Sequence, residues 1–491
     1  MPVNEPWFLV VGYIVFFLFT GGIVVFGKVL NSKFGVSDTV SRKIVHIVSC
    51  GEWVIMQLFF GCSVHWLILN GISAVLLGIL MFTPALKNFA NDDADKSYGM
   101  FYFALGTFCV ACIIYFFDQT MYLYAGIVYF CLTIGDGMAP LVAKWTKKFN
   151  PEIRQGKSLF GCLAVFVFSF LSAMAFKLIF HLEELDWFFL VTLAAAVTVI
   201  EFYGFKGLDN LFIEFGTFGY LALYHFGLVQ LSFEVTVLLS LALALVALKL
   251  GVLSVSGGIG GLIYFLGIAF FSEGFMMVVF SLVLFLLASL VSRLTVKAFN
   301  KKTGNHKAKS KRTGIQILAA GIAALGCMIA NYFTKNQIFL WLALLALTEQ
   351  LADSLAGDIG RLTNGKNIDI IRFKAVDKGI SGGVSLLGLA IALSSSFIIL
   401  LIPIAFQSIA WVPFAVIGGL AFFGTIIDSI LGSLLQVLYR CEVCGTLTEE
   451  KEHCEKPTAK VKGISFVNNV MVNILTSAIT LGIGVIPMLF L

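Results

Sequence analysis

Charged residues are scarce in this 491-residue sequence, at 12% Asp, Glu, Lys and Arg, whereas soluble globular domains carry about 25%. Hydrophobic residues account for 59% of the chain, and the mean hydropathy is +0.96. These values exclude a soluble globule. The composition predicts a polytopic membrane protein.

The sequence also lacks a disulfide framework and a signal peptide. Seven of the ten cysteines are scattered in apolar runs, where a thiol behaves as a small hydrophobic group. The N-terminus, MPVNEPWF, has no basic region ahead of its apolar run, so we expect the first span to be retained. A prokaryotic plasma membrane is the simplest location for such a chain.

Apolar runs near the ~20 residues that cross a bilayer recur along the whole chain. They predict an all-α, polytopic transmembrane protein with about sixteen spans in two non-repeated halves. The predicted spans are 7–27, 44–61, 65–84, 100–117, 121–143, 159–180, 187–204, 210–229, 232–249, 257–272, 274–292, 314–333, 337–356, 383–405, 410–438 and 464–491.

Basic residues give the orientation, because they favour cytoplasmic loops. With the first residues outside, all of the 33 Lys and Arg except Lys177 and Lys335 fall on the inner side. This bias accounts for the net charge of +5, so no nucleic-acid partner is predicted.

The stretch 134–161 combines a carboxylate, glycines and five basic residues at the end of an apolar run. Asp136 lies between Gly135 and Gly137, where the backbone can approach a ligand, and Mg²⁺ prefers one or two carboxylates plus phosphate oxygens. Further along are the groups that would bind the phosphate at a helix start, namely Lys157, Ser158 and Gly161. The alternative is a basic loop that signals only topology.

Upstream, the segment SRKIVH carries Arg42, Lys43 and His46. On a helix Arg42 and His46 are four residues apart and share a face. Arginine binds phosphate oxygens and histidine titrates near neutrality, which favours a functional role. The alternative is that these residues are basic anchors at an inner helix end.

The second half has a comparable set of groups. Glu349, Asp353 and Asp358 lie near the inner end of a span, where three carboxylates are costly without a cation. A basic loop follows and leads into the glycine-rich turn with Ser381, Gly382 and Gly383. We assign Asp353 and Asp358 to Mg²⁺. The expected phosphate contacts are Arg312 and Lys378, and the supporting polar groups are Asp428 and Asn473. The alternative is an acidic helix end paired with its own basic loop.

A cysteine cluster lies in the last inner loop, where Cys441 and Cys444 are followed by His453 and Cys454. Three thiols and an imidazole are sufficient for tetrahedral Zn²⁺, although two adjacent ligands require a sharp bend of the chain. A redox-active or free thiol pair is the alternative.

The first half resembles the polyprenol kinase family of dolichol, phytol and farnesol kinases. The resemblance covers about residues 1–230 and rests on SRKIVH, on GDG followed by KSLFG, and on GLDN after Glu201. It implies an integral membrane enzyme that phosphorylates an isoprenoid alcohol, usually with CTP. His46 would then deprotonate or orient the hydroxyl group.

The second half, over about residues 245–490, resembles the phytyl-phosphate kinase family. The shared elements are KRTGIQILAAG, LADSLAGDIG, GISGGVSLLG, DSILGSLLQ, YRCEVCG and NNVMVN. The resemblance implies addition of a second phosphate to an isoprenyl monophosphate.

Together the two resemblances predict a fused, bifunctional kinase with domains 1–230 and 231–491. It would use Mg²⁺ and CTP or ATP, and its sites would face the cytoplasm. A lipid cytidylyltransferase and a two-halved transporter are the alternatives. The transporter is disfavoured by the lack of a visible sequence repeat, because transporters usually contain one.

Overall fold

Helices dominate the structure, a computed structural model that describes residues 5–81, 99–154, 156–204, 208–249, 254–303, 313–362, 367–376, 380–449 and 451–491. The chain divides into two compact units. Unit 1 comprises Met1–Gln230 and Val237–Leu245, and unit 2 comprises Leu231–Thr236 and Val246–Leu491. Each unit is described separately below.

Unit 1 contains an α-helical bundle with one short β-hairpin. Its helices are α1 (Pro6–Phe34), α2 (Asp38–Val48), α3 (Cys50–Phe59), α4 (Val64–Met81), α5 (Gly99–Phe117), α6 (Tyr122–Phe130), α7 (Gly137–Trp145), α8 (Leu159–Phe180), α9 (Trp187–Tyr203) and α10 (Asp209–His225). A 3₁₀ turn (Gln119–Met121) precedes α6, and a π-helical turn (Cys131–Asp136) joins α6 to α7. The hairpin pairs β1 (Glu152–Arg154) with β2 (Lys157–Ser158). Helix α11 (Leu231–Lys249) has residues in both units.

Unit 2 is a second bundle with two small antiparallel sheets. Its helices are α12 (Val255–Phe271), α13 (Met276–Thr303), α14 (Gly314–Thr334), α15 (Gln337–Gly360), α16 (Leu386–Ile398), α17 (Leu401–Ala405), α18 (Trp411–Leu434) and α19 (Asn469–Met488). The first sheet has the order β4-β3-β5, from Ala375–Val376, Asn367–Asp369 and Gly383–Val384. The second has the order β7-β6-β9-β8, from Leu447–Thr448, Leu438–Cys441, Lys456–Lys462 and Glu452–His453.

The prediction of a polytopic helical membrane protein is confirmed. Ten helices among the described residues are long and apolar enough to cross a membrane. They are Pro6–Phe34, Gly99–Phe117, Gln119–Trp145, Leu159–Phe180, Met276–Ala298, Gly314–Thr334, Gln337–Gly360, Leu386–Ala405, Trp411–Leu434 and Asn469–Met488. Four shorter apolar helices are Val64–Ile79, Trp187–Tyr203, Leu231–Ser240 and Val255–Phe271. The total of sixteen spans stays a prediction. The expected span 44–61 is divided at Ser49 between α2 and α3.

The two units share one five-helix arrangement. In unit 1 its members are α5, the continuous α6–α7 helix, α8, α9 and α10, and in unit 2 they are α14, α15, α16, α18 and α19. In both units the second helix is central and packs against the other four. In both, the third helix packs on the fourth, the fourth on the fifth, and the fifth on the first. A β-hairpin or small sheet always joins the second helix to the third.

The expectation of two non-repeated halves therefore holds for the sequence motifs but not for the helix packing. Apolar helices can exchange one aliphatic side chain for another and keep the same neighbours, so the order of elements persists after the sequence similarity has faded.

Gly382 is required where the first sheet of unit 2 meets helix α18. Its φ of 85° lies in the left-handed region that favours glycine. A Cβ atom added there would lie 2.6 Å from Cβ of Ser433 and 2.7 Å from the backbone nitrogen of that residue. Ser433 in turn donates its hydroxyl hydrogen bond to Asp369, at 2.8 Å from Oδ1. The loop is thus held against the end of α18.

We expect Gly382→Ala to destabilise the protein strongly, because it adds both backbone strain and a collision with fixed backbone atoms. Gly445→Ala is the matched control, since Gly445 has a φ of 71° but no atom within 4 Å of the added Cβ. The control should lose only about 1 kcal/mol of stability from the left-handed conformation. Thermal unfolding in detergent measures both, and equal losses would contradict the collision.

Candidate functional site

The π-helical turn Cys131–Asp136 places the Asp136 carboxylate in the middle of the central helix of unit 1. Pro140 has no N–H to donate to the Asp136 carbonyl four residues earlier, so regular helical bonding fails there. Single π-helical turns of this kind occur frequently at functional sites. Asp136 is only 4% exposed.

Asp136 is neutralised by a cation from helix α2. Lys43 Nζ lies 2.5 Å from Asp136 Oδ2, and His46 Nε2 lies 3.6 Å from the same oxygen. Arg42, the neighbour of Lys43, is half-buried on α2. The structure therefore brings Lys43 and His46 of the basic motif to the carboxylate, three residues apart on one helix face.

Gly135 and Gly137 allow close helix packing beside Asp136. A Cβ atom at Gly137 would lie 2.5 Å from Ile47 Cγ1 on α2, and one at Gly135 would lie 2.5 Å from Ser169 Oγ on α8. We expected these glycines to let a ligand approach the backbone closely. In the structure they instead let neighbouring helices approach closely.

A second ion pair lies next to Asp136. Lys157 of β2 forms a short ion pair with Glu201 near the end of α9, and Lys157 also interacts electrostatically with Asp136 and Asp209. Burial alone would lower the pKa of Lys157, but the Glu201 carboxylate outweighs it and the pKa is raised. Ser158 caps helix α8 by accepting a hydrogen bond from the Gly161 N–H at 3.3 Å.

This site thus holds two carboxylates, two lysines and one histidine from four separate segments of the chain. A divalent cation at Asp136 would have to displace Lys43. An incoming phosphate, by contrast, would compete with Asp136 and Glu201 for the two lysines. The described residues therefore fit an anion more readily than a resident metal.

Unit 2 contains a cavity of about 360 Å³ at the equivalent place. Asp353 of the central helix α15 and Asp428 of α18 line it. Glu349 lies one turn before Asp353, is fully buried, and interacts electrostatically with both of these carboxylates. Its Oε2 accepts hydrogen bonds from Gln350 and Ser477, whereas Oε1 has no partner among the described residues.

Asp358 is not a wall residue of this cavity. It lies five residues after Asp353, which turns its side chain about 140° around the helix. Its Oδ1 is 3.8 Å from Arg361 NH1 instead. The structure therefore brings Asp428, expected only as a supporting group, to the place that sequence reasoning gave to Asp358.

Groups that favour an anion also line the cavity. Of the described residues in its wall, Arg361 is the only one with a positive charge. Ser385 caps helix α16 by accepting from the Gly388 N–H at 3.1 Å, so the positive end of that helix faces the cavity. Gln316 and Asn469, from the first turns of α14 and α19, are further lining residues.

The other predicted residues of this half divide into three groups. Ser381, Gly382 and Gly383 line the cavity as expected. Asn473 supports it indirectly, donating to Gln350 Oε1 at 3.3 Å. Arg312 and Lys378 lie outside the described residues.

Sequence reasoning missed Glu449, which also lines the cavity. Its carboxylate accepts hydrogen bonds from the hydroxyl and the backbone N–H of Ser381. Burial raises the pKa of the Glu449 carboxyl, although Arg361 and Ser381 act against this rise. Its position directly after β7, in a polar loop, gave no signal, because only the fold brings that loop to the cavity.

The two sites occupy equivalent positions in the repeated arrangement. Asp136 and Asp353 lie on the central helix, and Glu201 and Asp428 lie near the end of the fourth helix. Ser158 and Ser385 cap the third helix through the glycine three residues later. The repeat therefore extends to the polar groups.

Residues 238–481 match the family described as integral membrane protein DUF92. The chain is 26% identical over 271 residues to Protein PGR of Arabidopsis thaliana, covering 50% of this chain and 92% of that protein. It is 28% identical over 203 residues to an uncharacterized membrane protein of Methanocaldococcus jannaschii, covering 41% of this chain and 82% of that protein. No solved structure matches the chain.

We expect Lys43→Met to destabilise unit 1, because it leaves Asp136 buried and unpaired, at a cost of up to about 3 kcal/mol. Adding Asp136→Asn should recover most of this loss, since the uncompensated charge is then gone. Lys33→Met, at the exposed end of α1, is the matched control and should be neutral. Thermal unfolding of five proteins, namely the wild type, the control, Lys43→Met, Asp136→Asn and the double variant, gives the coupling, and independent effects would contradict the ion pair.

Proposed function

We propose that this protein is a bifunctional membrane phosphotransferase. Unit 1 would transfer a phosphoryl group from a nucleoside triphosphate, CTP or ATP, to an isoprenoid alcohol. Unit 2 would add a second phosphoryl group to the resulting monophosphate. In each step the hydroxyl or phosphate oxygen of the acceptor forms a bond to the γ-phosphorus, the bond to the β–γ bridging oxygen breaks, and the nucleoside diphosphate leaves.

The observation that carries the proposal is the cavity of unit 2. Asp353, Asp428, Arg361 and the start of α16 all line it. Phosphoryl transfer requires positioning and charge neutralisation rather than covalent chemistry by the protein. A wall that combines carboxylates with anion-binding groups suits a phosphate chain and its cation.

The residues of this cavity fit Mg²⁺. Three carboxylates interact at close range, and one buried oxygen of Glu349 lacks a hydrogen-bond partner among the described residues. Asp353 and Asp428 would hold the ion, with Glu349 behind them. When bound, Mg²⁺ neutralises charge on the phosphate oxygens.

In unit 1 the chain itself supplies the positive charge. Lys43 and Lys157 are held at the site by Asp136 and Glu201, and both can turn to phosphate oxygens when a nucleotide enters. His46 approaches the same carboxylate as Lys43 and would accept the proton of an alcohol. Arg42 would bind phosphate from the same helix.

The equivalent positions of the two sites support related reactions in the two units. The monophosphate made by the first would keep its lipid tail in the bilayer. A second site on the same chain then meets it at a high effective concentration.

A transporter is the second candidate, because transporters are commonly built from internal repeats and the two units share one arrangement of helices. Uptake of isoprenyl phosphate by protein-containing vesicles, without nucleotide consumption, would favour it. Formation of phosphorylated product in detergent would favour the phosphotransferase.

The first assay is of purified protein in detergent with phytol, farnesol or geranylgeraniol and CTP or ATP. We expect Asp136→Asn to abolish monophosphate formation, because it removes the charge that holds Lys43. The same variant should still convert supplied monophosphate to diphosphate, which also shows that it is folded. Normal alcohol phosphorylation by this variant would refute the assignment.

In unit 2, Asp353→Asn should make the protein accumulate isoprenyl monophosphate, because the first step continues and the second stops. Asp358→Asn on the same helix is the informative comparison, since Asp358 is not among the lining residues of the cavity and only approaches Arg361 of its wall, at 3.8 Å. We expect it to retain most diphosphate formation. Equal losses in the two variants would contradict the geometry, and loss of both steps in Asp353→Asn would contradict two separate sites.

A further inference from the structure

The four metal-binding side chains of the loop between α18 and α19 converge in the structure. One ligand atom each from Cys441, Cys444, His453 and Cys454 lies within 4.8 Å of all the others. Cys444 Sγ is 3.5 Å from His453 Nδ1, and Cys454 Sγ is 3.3 Å from the same nitrogen. All four groups are provided by the sheet β7-β6-β9-β8 and its turns.

The two sulfur–nitrogen distances are close to those of a tetrahedral zinc site. With Zn–S bonds of about 2.3 Å and Zn–N bonds of about 2.0–2.1 Å, a tetrahedron places sulfur and nitrogen about 3.5 Å apart. Four protein ligands complete the coordination and leave no position for a substrate, which is the pattern of structural zinc. We propose that this loop holds one structural Zn²⁺ ion through Cys441, Cys444, His453 and Cys454.

The two adjacent ligands lie at the tip of a β-hairpin. Cys454 and Glu455, with φ values of 52° and 62°, form the two-residue loop that joins β8 to β9, and such loops commonly adopt positive φ at both positions. This tight turn keeps Cys454 directly beside His453. On the opposite side, Cys441 O accepts a hydrogen bond from the Gly445 N–H at 2.9 Å, closing the turn that carries Cys444.

Other fates of these thiols are less consistent with the arrangement. None of the cysteines forms a disulfide in the described structure. A two-cysteine redox pair does not require His453 and Cys454, yet the ligand atoms of both converge on it. The complete ligand set therefore favours a metal.

The ion would also stabilise one wall of the unit 2 cavity. Glu449 follows β7 of the same sheet and accepts its hydrogen bonds from Ser381 in the cavity wall. A short sheet of this size has little hydrophobic core of its own, so a cross-link between its turns is needed to hold it. The zinc proposal itself does not depend on the proposed phosphotransfer.

The test is to measure the zinc content of the full-length protein by elemental analysis after purification without chelators. The variants Cys444→Ser, Cys454→Ser and Cys327→Ser are measured in the same way. Cys327 lies on α14, outside the cluster, and serves as the control. We expect one zinc per chain in the wild type and in Cys327→Ser, and at least a tenfold loss in the two cluster variants. Replacement of zinc by Co²⁺ should give the visible absorption of a tetrahedral thiolate site.

Limited trypsin digestion separates a metal role from a general folding defect. The cluster variants should be cut in 442–462, at residues such as Lys451 and Lys460, well before the helices are cut. Wild-type protein without zinc that also fails to bind added Zn²⁺ would overturn the proposal. Three other results would also overturn it. They are iron bound in place of zinc, a protein mass lower by two hydrogens, which indicates a disulfide, and zinc retained in both cluster variants.

Discussion

A carboxylate within an apolar helix bundle must be neutralised, and the structure depends on how each unit meets this constraint. Moving a charge out of water costs several kcal/mol even after the surroundings relax, and only a partner charge or a bound ion offsets this cost. Unit 1 meets the constraint internally, through Lys43 at Asp136 and Lys157 at Glu201. In unit 2, Asp353 and Asp428 face a cavity with no lysine among its described lining residues. The same fold thus carries a self-neutralised site and a site that, in the proposed function, a bound cation would neutralise.

The five-helix arrangement explains why these groups occur at equivalent places. A central helix that touches four others has little lipid-facing surface, so a polar side chain on it is protected from the bilayer. The fourth helix brings a second carboxylate beside the first. The β-hairpin or small sheet between the second and third helices then returns the chain. The capped start of the third helix is thereby directed towards the two carboxylates. The arrangement itself creates a place where carboxylates and a helix start meet.

Much of this was visible in the sequence, and the remainder depended on contacts between distant residues. Composition and apolar runs gave the membrane class, whereas the assignment of Asp136 to a phosphate and Mg²⁺ site stays a prediction. The sequence could not show that Lys43 rather than Arg42 pairs with Asp136. Both residues lie on one helix, and only the position of the π-helical turn decides between them. Asp358 was misplaced for a simpler reason, namely that a spacing of five residues does not keep two side chains on one helix face.

Other features left no local signal at all. Glu449 reaches the cavity from a polar loop. The packing that the two units share cannot be seen in the sequence, because aliphatic residues replace one another freely. The span at 44–61 was misjudged because SRKIVH continues directly into apolar sequence. The structure shows that the amphipathic part is a separate helix, α2, which presents its basic side to Asp136.

The difference between the two sites matches the charges of the substrates proposed for them. An alcohol is neutral, so the first unit has to bind only the phosphates of the nucleotide, and two lysines with a nearby histidine are suited to that task. The second reaction must bring a monophosphate and a triphosphate together, and their mutual repulsion requires more positive charge at closer range. A divalent cation held by the carboxylates, together with Arg361 and a helix start, would supply that charge, whereas additional lysines would pair with the carboxylates as they do in unit 1. The proposed order of the reactions would therefore account for the electrostatic asymmetry of a repeated fold.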